Sequence, residues 1–489
     1  MADSVPKKPE LTKVLTQVTL VSAFGSSFQY GYNLVVLNFP AQWMQEFYNQ
    51  TYHKRNNINM DAGLLRFLWG LTITFFPIGG LVGTLMARPL ADHCGRKYIL
   101  VVNNLFPIVA AVVCSCSKVV HCYELIIFAR LVIGICAGIA CSVVPLYLGE
   151  VSPHNLRGAV IVVSHFFLTF GILVAQALSL HVVLGTRQGW PVLLFLTSIP
   201  ALFQIFLLPW FPESPRYLLI QKGDEAEARK ALQLLREWDE VEDEMEELRM
   251  EDKFENQEKR MSLSKLILCR SQQWQLLSIV VMTLSQHLSD LNAIHWYAEV
   301  IYLSTGVQED YVRYITVMIS ATVIFITIIT IFVVDSSGRR LLLLTGFGIC
   351  SVCCVLLAMA LELQSTIPWM SYFSTAFVIL YVIGHSIGPS PVPRVMIAEM
   401  FLQSSRASSF MVGEIVHWVT HFLLDMMFIH MKVGLTPYSF LVFFFICLFA
   451  YVYIYVMVPE TKKKSFVEIR KLLEDHMAQR SLKVIRAGQ

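Results

Sequence analysis

Residues 384–394 read GHSIGPSPVPR and lie inside a long apolar segment. The three prolines of this stretch are Pro389, Pro391 and Pro393. They cannot continue a regular helix, because each lacks an N–H donor and clashes with the preceding turn. Within hydrocarbon the freed carbonyl groups need partners, so such a break is tolerated only against other helices or a water-filled cavity. The stretch therefore predicts a broken membrane helix.

Polar side chains occupy the same stretch. His385, Ser386 and Arg394 are costly at membrane depth unless they face a polar interior. We therefore expect the broken helix to line a central cavity. The alternative is a kinked helix that only packs against its neighbours.

The composition points to the same class of protein. The chain has 489 residues, of which 55% are hydrophobic, and its mean hydropathy is +0.57. These values are typical of a polytopic membrane protein, whose main surroundings are the lipid bilayer. The net charge of +2 gives no indication of a nucleic-acid partner.

The chain contains 11 cysteines, of which several fall inside apolar runs. These are Cys136, Cys141, Cys350, Cys353, Cys354 and Cys447. No cysteine spacing resembles a zinc site or a redox motif, so we expect buried free thiols. The sequence predicts neither a cofactor nor a bound metal.

Apolar runs long enough to span a bilayer form two groups of six. The first group covers 14–37, 64–88, 98–117, 122–146, 158–182 and 189–210. The second covers 273–298, 311–334, 340–362, 371–398, 407–430 and 437–458. The predicted fold is an all-α membrane protein with twelve transmembrane helices in two six-helix halves. The predicted divisions are an N-terminus at 1–13, a bundle at 14–210, a linker at 211–270, a bundle at 271–458 and a tail at 459–489.

Basic residues predict the orientation in the membrane. The short loops after the second, fourth, eighth and tenth spans are basic, as are both terminal segments. Because basic loops stay inside, we expect both termini in the cytoplasm. The opposite loop, at about 38–63, contains the sequon Asn49-Gln50-Thr51, which makes Asn49 a candidate for glycosylation.

The linker at 211–270 is rich in Glu, Lys, Arg, Leu and Met, which favour helix. We expect a few short amphipathic helices that cap the cytoplasmic side. A charged connector between the halves is a better interpretation than a separate binding domain.

The two halves repeat three charged motifs, whose copies lie 243 to 249 positions apart. The pairs are Asp92-x-x-Gly95-Arg96-Lys97 with Asp335-x-x-Gly338-Arg339-Arg340, Glu150 and Arg157 with Glu399 and Arg406, and Pro212-Glu213 with Pro459-Glu460. Six helices separate the copies, so both have the same orientation and a cleft is expected between the halves. Carboxylates and guanidinium groups at these helix ends can pair bidentately and hold the halves together as an inner gate. The alternative is that these charges only anchor helix ends among the lipid headgroups.

These motifs together resemble the facilitative hexose transporters of the major facilitator superfamily, in the sugar porter branch, over nearly the whole chain. Pro212-Glu213-Ser214-Pro215-Arg216 and Pro459-Glu460-Thr461-Lys462 also match, and Arg130 matches the network of signature motifs. The stretches FGSSFQYGYN at 24–33 and 384–391 look most like the fructose-transporter subgroup, in which a histidine at the position of His385 is associated with fructose.

The resemblance implies passive uniport of a hexose by alternating access in the plasma membrane, and no obligate protein partner is evident. The sequence contains no nucleophile–base motif and no metal-ligand spacing, so we do not expect an enzyme. The resemblance places the sugar between the halves. The residues that match sugar-contact positions are Tyr32, Gln176, Gln286, Asn292, His385 and Trp418.

Several positions depart from the pattern of glucose carriers. Histidines stand at His165, His287, His295, His417 and His421, and charged residues stand at Asp290, Arg394 and Asp425, while Val323 replaces an asparagine. We include His165, His287, Arg394 and His417 among the predicted substrate contacts. Imidazole can change its charge near neutral pH, and Arg394 could pair with an anion.

Three interpretations of this pocket remain open from the sequence. It binds a hexose, it prefers an anionic or otherwise altered substrate, or it has lost transport and serves as a sensor. A proton-coupled symporter is less favoured, because the first span contains no carboxylate between Lys13 and Glu46.

Overall fold

A computed structural model describes residues 11–258, 272–289, 309–364, 366–367, 369–401, 403–430 and 439–462. The described residues form helices and loops, without a β-strand among them. Asp290, Asn292, His295 and both terminal segments, at 1–10 and 463–489, lie outside the described residues.

The described part of the first half and the linker contains twelve α-helices. They are α1 (Lys13–Ser22), α2 (Gln29–Val35), α3 (Ala41–Asn56), α4 (Ala62–Cys94), α5 (Arg96–Asn103), α6 (Leu105–Val120), α7 (Glu124–Val151), α8 (Arg157–Leu178), α9 (Trp190–Phe195), α10 (Ser198–Leu207), α11 (Glu225–Arg236) and α12 (Glu242–Glu258). The helices described in the second half are α13 (Gln273–Leu288), α14 (Glu309–Ser337), α15 (Arg339–Leu363), α16 (Met370–Ile387), α17 (Val392–Met400), α18 (Gln403–His430) and α19 (Ser439–Met457).

Nine helices within the described ranges have the length and hydropathy needed to cross a bilayer. Three less apolar segments complete the twelve spans that the sequence predicts. The first is the continuous helical stretch 13–35, the second begins with α13, and the third is α18. Polar residues lower the hydropathy of α18, because its buried face lines the interior of the bundle.

Two glycine pairs bring α4 and α7 into close contact. A Cβ atom on Gly79 or Gly83 would lie 2.2 or 2.1 Å from a carbonyl oxygen of α7. A Cβ on Gly134 or Gly138 would lie 2.2 or 2.0 Å from a carbonyl of α4. Glycines four residues apart on both helices therefore allow the two backbones to touch, as in other packed membrane helices.

The prediction of a broken helix at 384–394 is confirmed. Helix α16 ends at Ile387 and α17 begins at Val392. The break packs against α15, where a Cβ on Gly388 would lie 2.1 Å from the carbonyl oxygen of Leu342. The carbonyl of Ser390 accepts a hydrogen bond of 3.0 Å from Gln286 Nε2, so a carbonyl freed by the break is satisfied by another helix.

A π-helical turn, Ala23–Phe28, joins α1 to α2. A π turn shifts the phase of a helix, so side-chain faces before and after it do not continue at the same angle. Beyond the turn, Tyr30 points to the interface between the halves and contacts His417 of α18, while Tyr32 contacts α9.

The segment at 38–63, predicted as a loop, contains the helix α3. This helix is tied to the first half by Trp43 Nε1, which donates to the carbonyl of Gly185 at 3.1 Å. Arg55 also donates to Glu124 at 2.5 Å. The sequence of α3 mixes apolar and polar residues, because only one face of this helix is buried. It therefore contains no apolar run of spanning length.

The linker contains α11 and α12, which pack against residues 217–219 in a small core of their own. Asp224 caps α11 by accepting from the N–H of Glu227 at 2.9 Å. Both helices fall within the charged regions from which the sequence predicts amphipathic helices, but the described part of the linker ends at 258.

Candidate functional site

A cavity of about 410 Å³ lies between the two halves. Its walls come from α2, α4 and α8 of the first half and from α13, α14, α17 and α18 of the second. The predicted contacts on its wall are His165, Gln176, Gln286, His287, Arg394 and His417. The structure therefore brings six of the ten predicted substrate contacts to one cavity.

The cavity extends towards the end of the bundle that carries α3, which we call the mouth end. Asn38, Phe39 and Gln45 line it there. Arg313, in the first turns of α14, lies 5.7 Å over the ring of Phe39 and so connects the two halves at the mouth. The opposite end, where Arg96 and Arg339 begin α5 and α15, is called the basic end.

The break between α16 and α17 forms part of the cavity floor. Ser390 Oγ lies 3.0 Å from His165 Nε2, which joins the second half to the first. Gln286 reaches the same break through its bond to the Ser390 carbonyl. His385 lies behind this wall, fully buried, with Nε2 3.3 Å from the carbonyl of Gln286.

Two histidines and a tyrosine form a hydrogen-bonded row beside the floor. His417 Nδ1 lies 2.6 Å from His287 Nε2, and His417 Nε2 lies 2.9 Å from the hydroxyl of Tyr30. All three residues line the cavity. Trp418 packs against the rings of Tyr30 and His417 from behind, with centroids 5.6 and 4.7 Å away.

Arg394 reaches the cavity together with a carboxylate that the sequence analysis did not single out. Its Nε donates to Glu414 Oε1 at 3.2 Å; the side chain of Glu414 is buried and that of Arg394 is 14% exposed. Because Glu414 compensates the charge of Arg394, the floor does not present an unpaired cation to a substrate. This geometry removes the reason for expecting an anionic substrate at Arg394.

A third hydrogen bond crosses the cavity nearer the mouth. Ser320 Oγ of α14 donates to Gln176 Oε1 of α8 at 2.7 Å. With Tyr30 to His417 and His165 to Ser390, the halves are joined by three neutral side-chain pairs that all line the cavity. These groups can exchange their hydrogen bonds with one another for hydrogen bonds with water or with sugar hydroxyls.

Three predicted substrate contacts within the described ranges are not on the cavity wall. Tyr32 donates to the carbonyl of Leu193 at 2.9 Å, inside the first half. Trp418 is fully buried behind the wall, where it fills the space above Gly80. His385 lies behind Gln286, as described above, and Asn292 is outside the described residues. In place of Tyr32, the structure puts Tyr30 at the cavity because the π turn sets the phase of α2.

At the basic end of the first half, Arg96 is completely buried and binds Glu150. Its Nε lies 3.0 Å from Glu150 Oε2, and its Nη1 donates to the carbonyl of Ala91 at 3.1 Å. The carboxylate of Glu213 accepts from the backbone N–H of Arg96 and of Lys97 at 3.0–3.1 Å. Burial raises the pKa of Glu213, although hydrogen bonds from the N–H groups of Ser214 and Lys97 oppose that shift.

The second half repeats these hydrogen bonds at the equivalent positions. Arg339 donates to Glu399 at 2.6 Å and to the carbonyl of Val334, also five residues earlier, at 3.1 Å. Glu460 accepts from the N–H groups of Arg339 and Arg340 at 3.0 and 3.1 Å. The parallel repeat inferred from the sequence is therefore present in the hydrogen bonds.

The structure places the predicted gate charges in two groups. Glu150 and Glu399 bind Arg96 and Arg339 of their own half, and Glu399 also interacts electrostatically with Arg157 of the other half. Arg130 was predicted with the gate but lies about 30 Å along α7 from Glu150, towards the mouth end. It donates to the carbonyl of Asn33 at 2.9 Å.

Other atoms join the halves at the basic end. Asp335 Oδ2 accepts from the N–H of Ala159, in the first turn of α8, at 2.9 Å. In the linker, Glu251 accepts from Arg216 at 2.6 Å and lies 3.8 Å from Arg406 of α18. Arg157 of the first half interacts electrostatically with Glu399 of the second. Carboxylates thus bridge the halves near the starts of α8 and α18.

The candidate glycosylation residue lies inside α3. Asn49 is half-buried, and its Oδ1 accepts from the N–H of Met60 at 2.9 Å. Thr51, which completes the sequon, is buried. Glycosylation of Asn49 therefore stays a prediction. The six cysteines named from the sequence are buried and unpaired within the described ranges, as the sequence predicts.

Sequence reasoning missed Tyr30, Ser320, Ser390, Arg313 and Glu414. Tyr30 and Ser390 lie within quoted motifs, so their proximity to the predicted contacts was a usable signal. Glu414 stands three residues before His417 on α18, a spacing that puts both side chains on one helical face. An ionisable residue within a span is itself a signal of function, and this rule identifies Glu414.

The chain is similar to known sugar transporters. The profile of the family described as sugar (and other) transporter matches residues 18–473. The human facilitated glucose transporter member 5 of solute carrier family 2 is 52% identical over 96% of this chain and 94% of its own length. Its mouse counterpart is also 52% identical, over 95% and 92%. The human member 7 is 48% identical over 95% and 91%.

Among solved structures, the proton:xylose symporter XylE with bound 6-bromo-6-deoxy-D-glucose has a TM-score of 0.82 at 19% identity. The match covers 95% of this chain and all of that one. At this identity the likeness shows the fold, which is the twelve-helix major facilitator fold. With the family profile and these relatives, it follows that the chain is a multi-pass membrane transporter and belongs to the sugar transporter family.

Proposed function

We propose that the protein carries a hexose, fructose in the first place, passively across the plasma membrane by alternating access. The observation that carries this proposal is the cavity between the halves, lined by neutral donors and acceptors and by aromatic rings. Sugar hydroxyls need such neutral groups, and their C–H faces pack on aromatic rings. Similarity to facilitated glucose transporter members 5 and 7 supports passive transport of a hexose.

Fructose is favoured by the resemblance of residues 24–33 and 384–391 to the fructose-transporter subgroup. His385 acts through Gln286 in this proposal, because it contacts the backbone of that residue and not the cavity. The anionic alternative is not favoured, since Glu414 already pairs with Arg394. A non-transporting sensor is not favoured either, since close relatives over the whole chain are transporters.

Alternating access requires a second conformation in which the basic end opens. The bonds that must break are those that cross between halves, Asp335 to Ala159 and Glu251 to Arg406, whereas the pairs within each half remain. The cavity would then close at the mouth, where Phe39 and Arg313 already meet. Both termini lie in the cytoplasm in this proposal, with Asn49 outside the cell.

The test is uptake of labelled fructose, glucose and a small organic anion by proteoliposomes that contain the purified chain, at pH 6 and pH 7.5. We expect saturable fructose uptake without an imposed gradient. Gln286→Ala removes a cavity amide and should raise the KM about two- to tenfold, the worth of one hydrogen bond. Gln233→Ala makes the same chemical change on the exposed linker helix α11 and should leave uptake unchanged.

Two results would contradict the proposal. One is uptake of the anion in place of either hexose, which would mean that the compensated Arg394 still selects charge. The other is the absence of hexose uptake from protein shown to be folded by a cooperative thermal transition.

A further inference from the structure

Arg394, at the cavity floor, is tied to the protein by one side of its guanidinium group. Its Nε donates to Glu414 Oε1 at 3.2 Å. Among the described residues, no other acceptor lies within hydrogen-bond distance of this side chain. A guanidinium group carries five N–H donors in one plane. The donors on Nη1 and Nη2 are therefore not used by the described part of the chain.

The exposed part of Arg394 is the end that carries these donors. The side chain is 14% exposed, and its Nε lies against Glu414, which is buried. Neither Nη atom belongs to the buried polar atoms that lack a hydrogen-bond partner. Since the Nη atoms are neither bonded to the described residues nor buried, they are open to the spaces that Arg394 lines.

Arg394 borders two spaces of different size. The cavity between the halves has a volume of about 410 Å³, and a space beside Ser27 and Ser164 of the first half has about 20 Å³. The smaller space is large enough for one water molecule but not for a sugar. A sugar therefore meets the Nη groups from the larger cavity, where Ser390 and His165 line the floor beside Arg394.

The partner of Arg394 suits the guanidinium group to a neutral ligand. Because Glu414 compensates the positive charge, the two Nη groups act as hydrogen-bond donors and do not select an anion. The planar guanidinium presents parallel N–H groups that can donate to two acceptors side by side. On a hexose, hydroxyl oxygens on neighbouring carbons provide two such acceptors.

The geometry points to a paired contact: we propose that Arg394 donates through Nη1 and Nη2 to two neighbouring hydroxyl groups of the sugar, and that Glu414 holds the guanidinium group in the direction this requires. This inference rests on the proposed hexose function and names the part of the sugar that the floor recognises. Glu414 is a positioning residue, because it is not on the cavity wall and acts through Arg394. Its Oε2 has no hydrogen-bond partner among the described residues.

Sugars that lack one hydroxyl group at a time test this contact. The experiment measures how a set of deoxy fructoses competes with uptake of labelled fructose by the proteoliposomes. For each analogue, the ratio of its inhibition constant to that of unlabelled fructose gives the cost of losing one hydroxyl group. At two neighbouring carbons we expect ratios of about tenfold or more, which corresponds to the loss of a hydrogen bond from a charged donor.

The double variant Arg394→Met with Glu414→Leu separates recognition from a structural role. It removes the donors and both charges together, so neither charge is left buried without its partner. The ratios at the two neighbouring carbons should fall by about fivefold or more, while the ratios at the other carbons stay unchanged. Each ratio is taken within one variant that shows a cooperative thermal transition, which cancels changes in overall uptake.

Glu414→Leu and Glu414→Gln form a matched pair that tests the positioning role. Both keep Arg394 and remove the carboxylate charge, but only the amide oxygen of glutamine still accepts from Nε. We expect the ratios at the two neighbouring carbons to fall in Glu414→Leu and to remain high in Glu414→Gln.

Two results would overturn the inference. One is a double variant that keeps the ratios of the natural protein at every carbon, since Arg394 would then contribute only to structure. The other is equal ratios in Glu414→Leu and Glu414→Gln, which would remove the positioning role of Glu414. Saturable uptake of fructose by the natural protein keeps these cases distinct from failure of the proposed function, which its absence would contradict.

Discussion

Gly95 and Gly338 occupy equivalent positions in the two halves, each one residue before a buried arginine. Their φ angles are +91° and +95°. A Cβ atom would lie 2.5 Å from Glu213 Oε2 at Gly95 and 2.6 Å from Glu460 Oε2 at Gly338. Each glycine therefore lets a carboxylate reach the N–H groups that begin the next helix.

Gly338→Ala should lower the free energy of unfolding by more than the cost of the backbone conformation alone. A backbone with φ of +95° and ψ of 148° costs a residue with a Cβ about 1–3 kcal/mol, and Glu460 must also move. We expect a lower midpoint of thermal unfolding in detergent. Gly223→Ala is the matched control, because its φ is +74° but no atom lies within 4 Å of the added Cβ. Equal shifts in the two variants would show that the contact with Glu460 contributes nothing.

The Arg394–Glu414 pair predicts non-additive mutations. Arg394→Met or Glu414→Leu alone should lower stability by about 3–5 kcal/mol, because each leaves one buried charge without its partner. The double variant should be closer to the natural protein than either single variant. The measurement is a double-mutant cycle of thermal midpoints. Additive losses would mean that the two charges are stabilised independently.

Asp335 predicts the behaviour of the basic end. Asp335→Ala removes the acceptor for the N–H of Ala159 and should shift the protein towards conformations open at that end. The distribution of distances between spin labels at the start of α8 and at the end of α14 should broaden towards larger values. Asp92→Ala is the control at the repeated position, because Asp92 pairs with Arg88 of its own helix at 3.6 Å. An unchanged distance distribution in Asp335→Ala would contradict a role in closure.

His154 predicts a pH dependence for the docking of the linker. His154, in the loop between α7 and α8, contacts Glu247 of α12 through a short hydrogen bond. Burial lowers the pKa of His154. Burial raises the pKa of Glu247, but the hydrogen bond from His154 and the nearby arginines lower it by more. The net shift of this pKa is therefore downward. Both groups therefore bind protons more readily when the linker is released.

The linker is therefore held more firmly at neutral pH than at acidic pH. For His154 the stabilisation is complete above the ordinary histidine pKa of about 6.5 and is lost as pH falls towards its lowered value. For Glu247 the loss begins only below about pH 4.3. Backbone amides of α12 should exchange with deuterium faster at pH 5.5 than at pH 7.5, after correction for intrinsic rates. His154→Gln should remove this difference, and a difference that persists would assign it to another group.

The local chemistry of several elements could be predicted from sequence. The prolines of 384–394 require a break, and the charges at 92–97 and 335–340 recur at one spacing, so a broken helix and a parallel repeat follow directly. Which arginine binds which carboxylate could not be predicted in the same way. Glu150 binds Arg96, a pairing that the sequence motifs do not specify, because the nearest guanidinium is decided by how α5 packs against α7.

The sequence by itself determined the class of protein, the twelve spans, the repeat and the set of polar residues that need an interior. These follow from hydropathy, proline geometry and the cost of charge in hydrocarbon, which act locally along the chain. Only the tertiary structure decided which of those residues meet. The π turn at Ala23–Phe28 brings Tyr30 to the cavity and leaves Tyr32 inside the first half. Packing of α17 on α18 brings the carboxylate of Glu414 to Arg394. Side-chain direction and charge compensation depend on helix phase and on contacts distant in sequence, and neither is fixed until the halves are assembled.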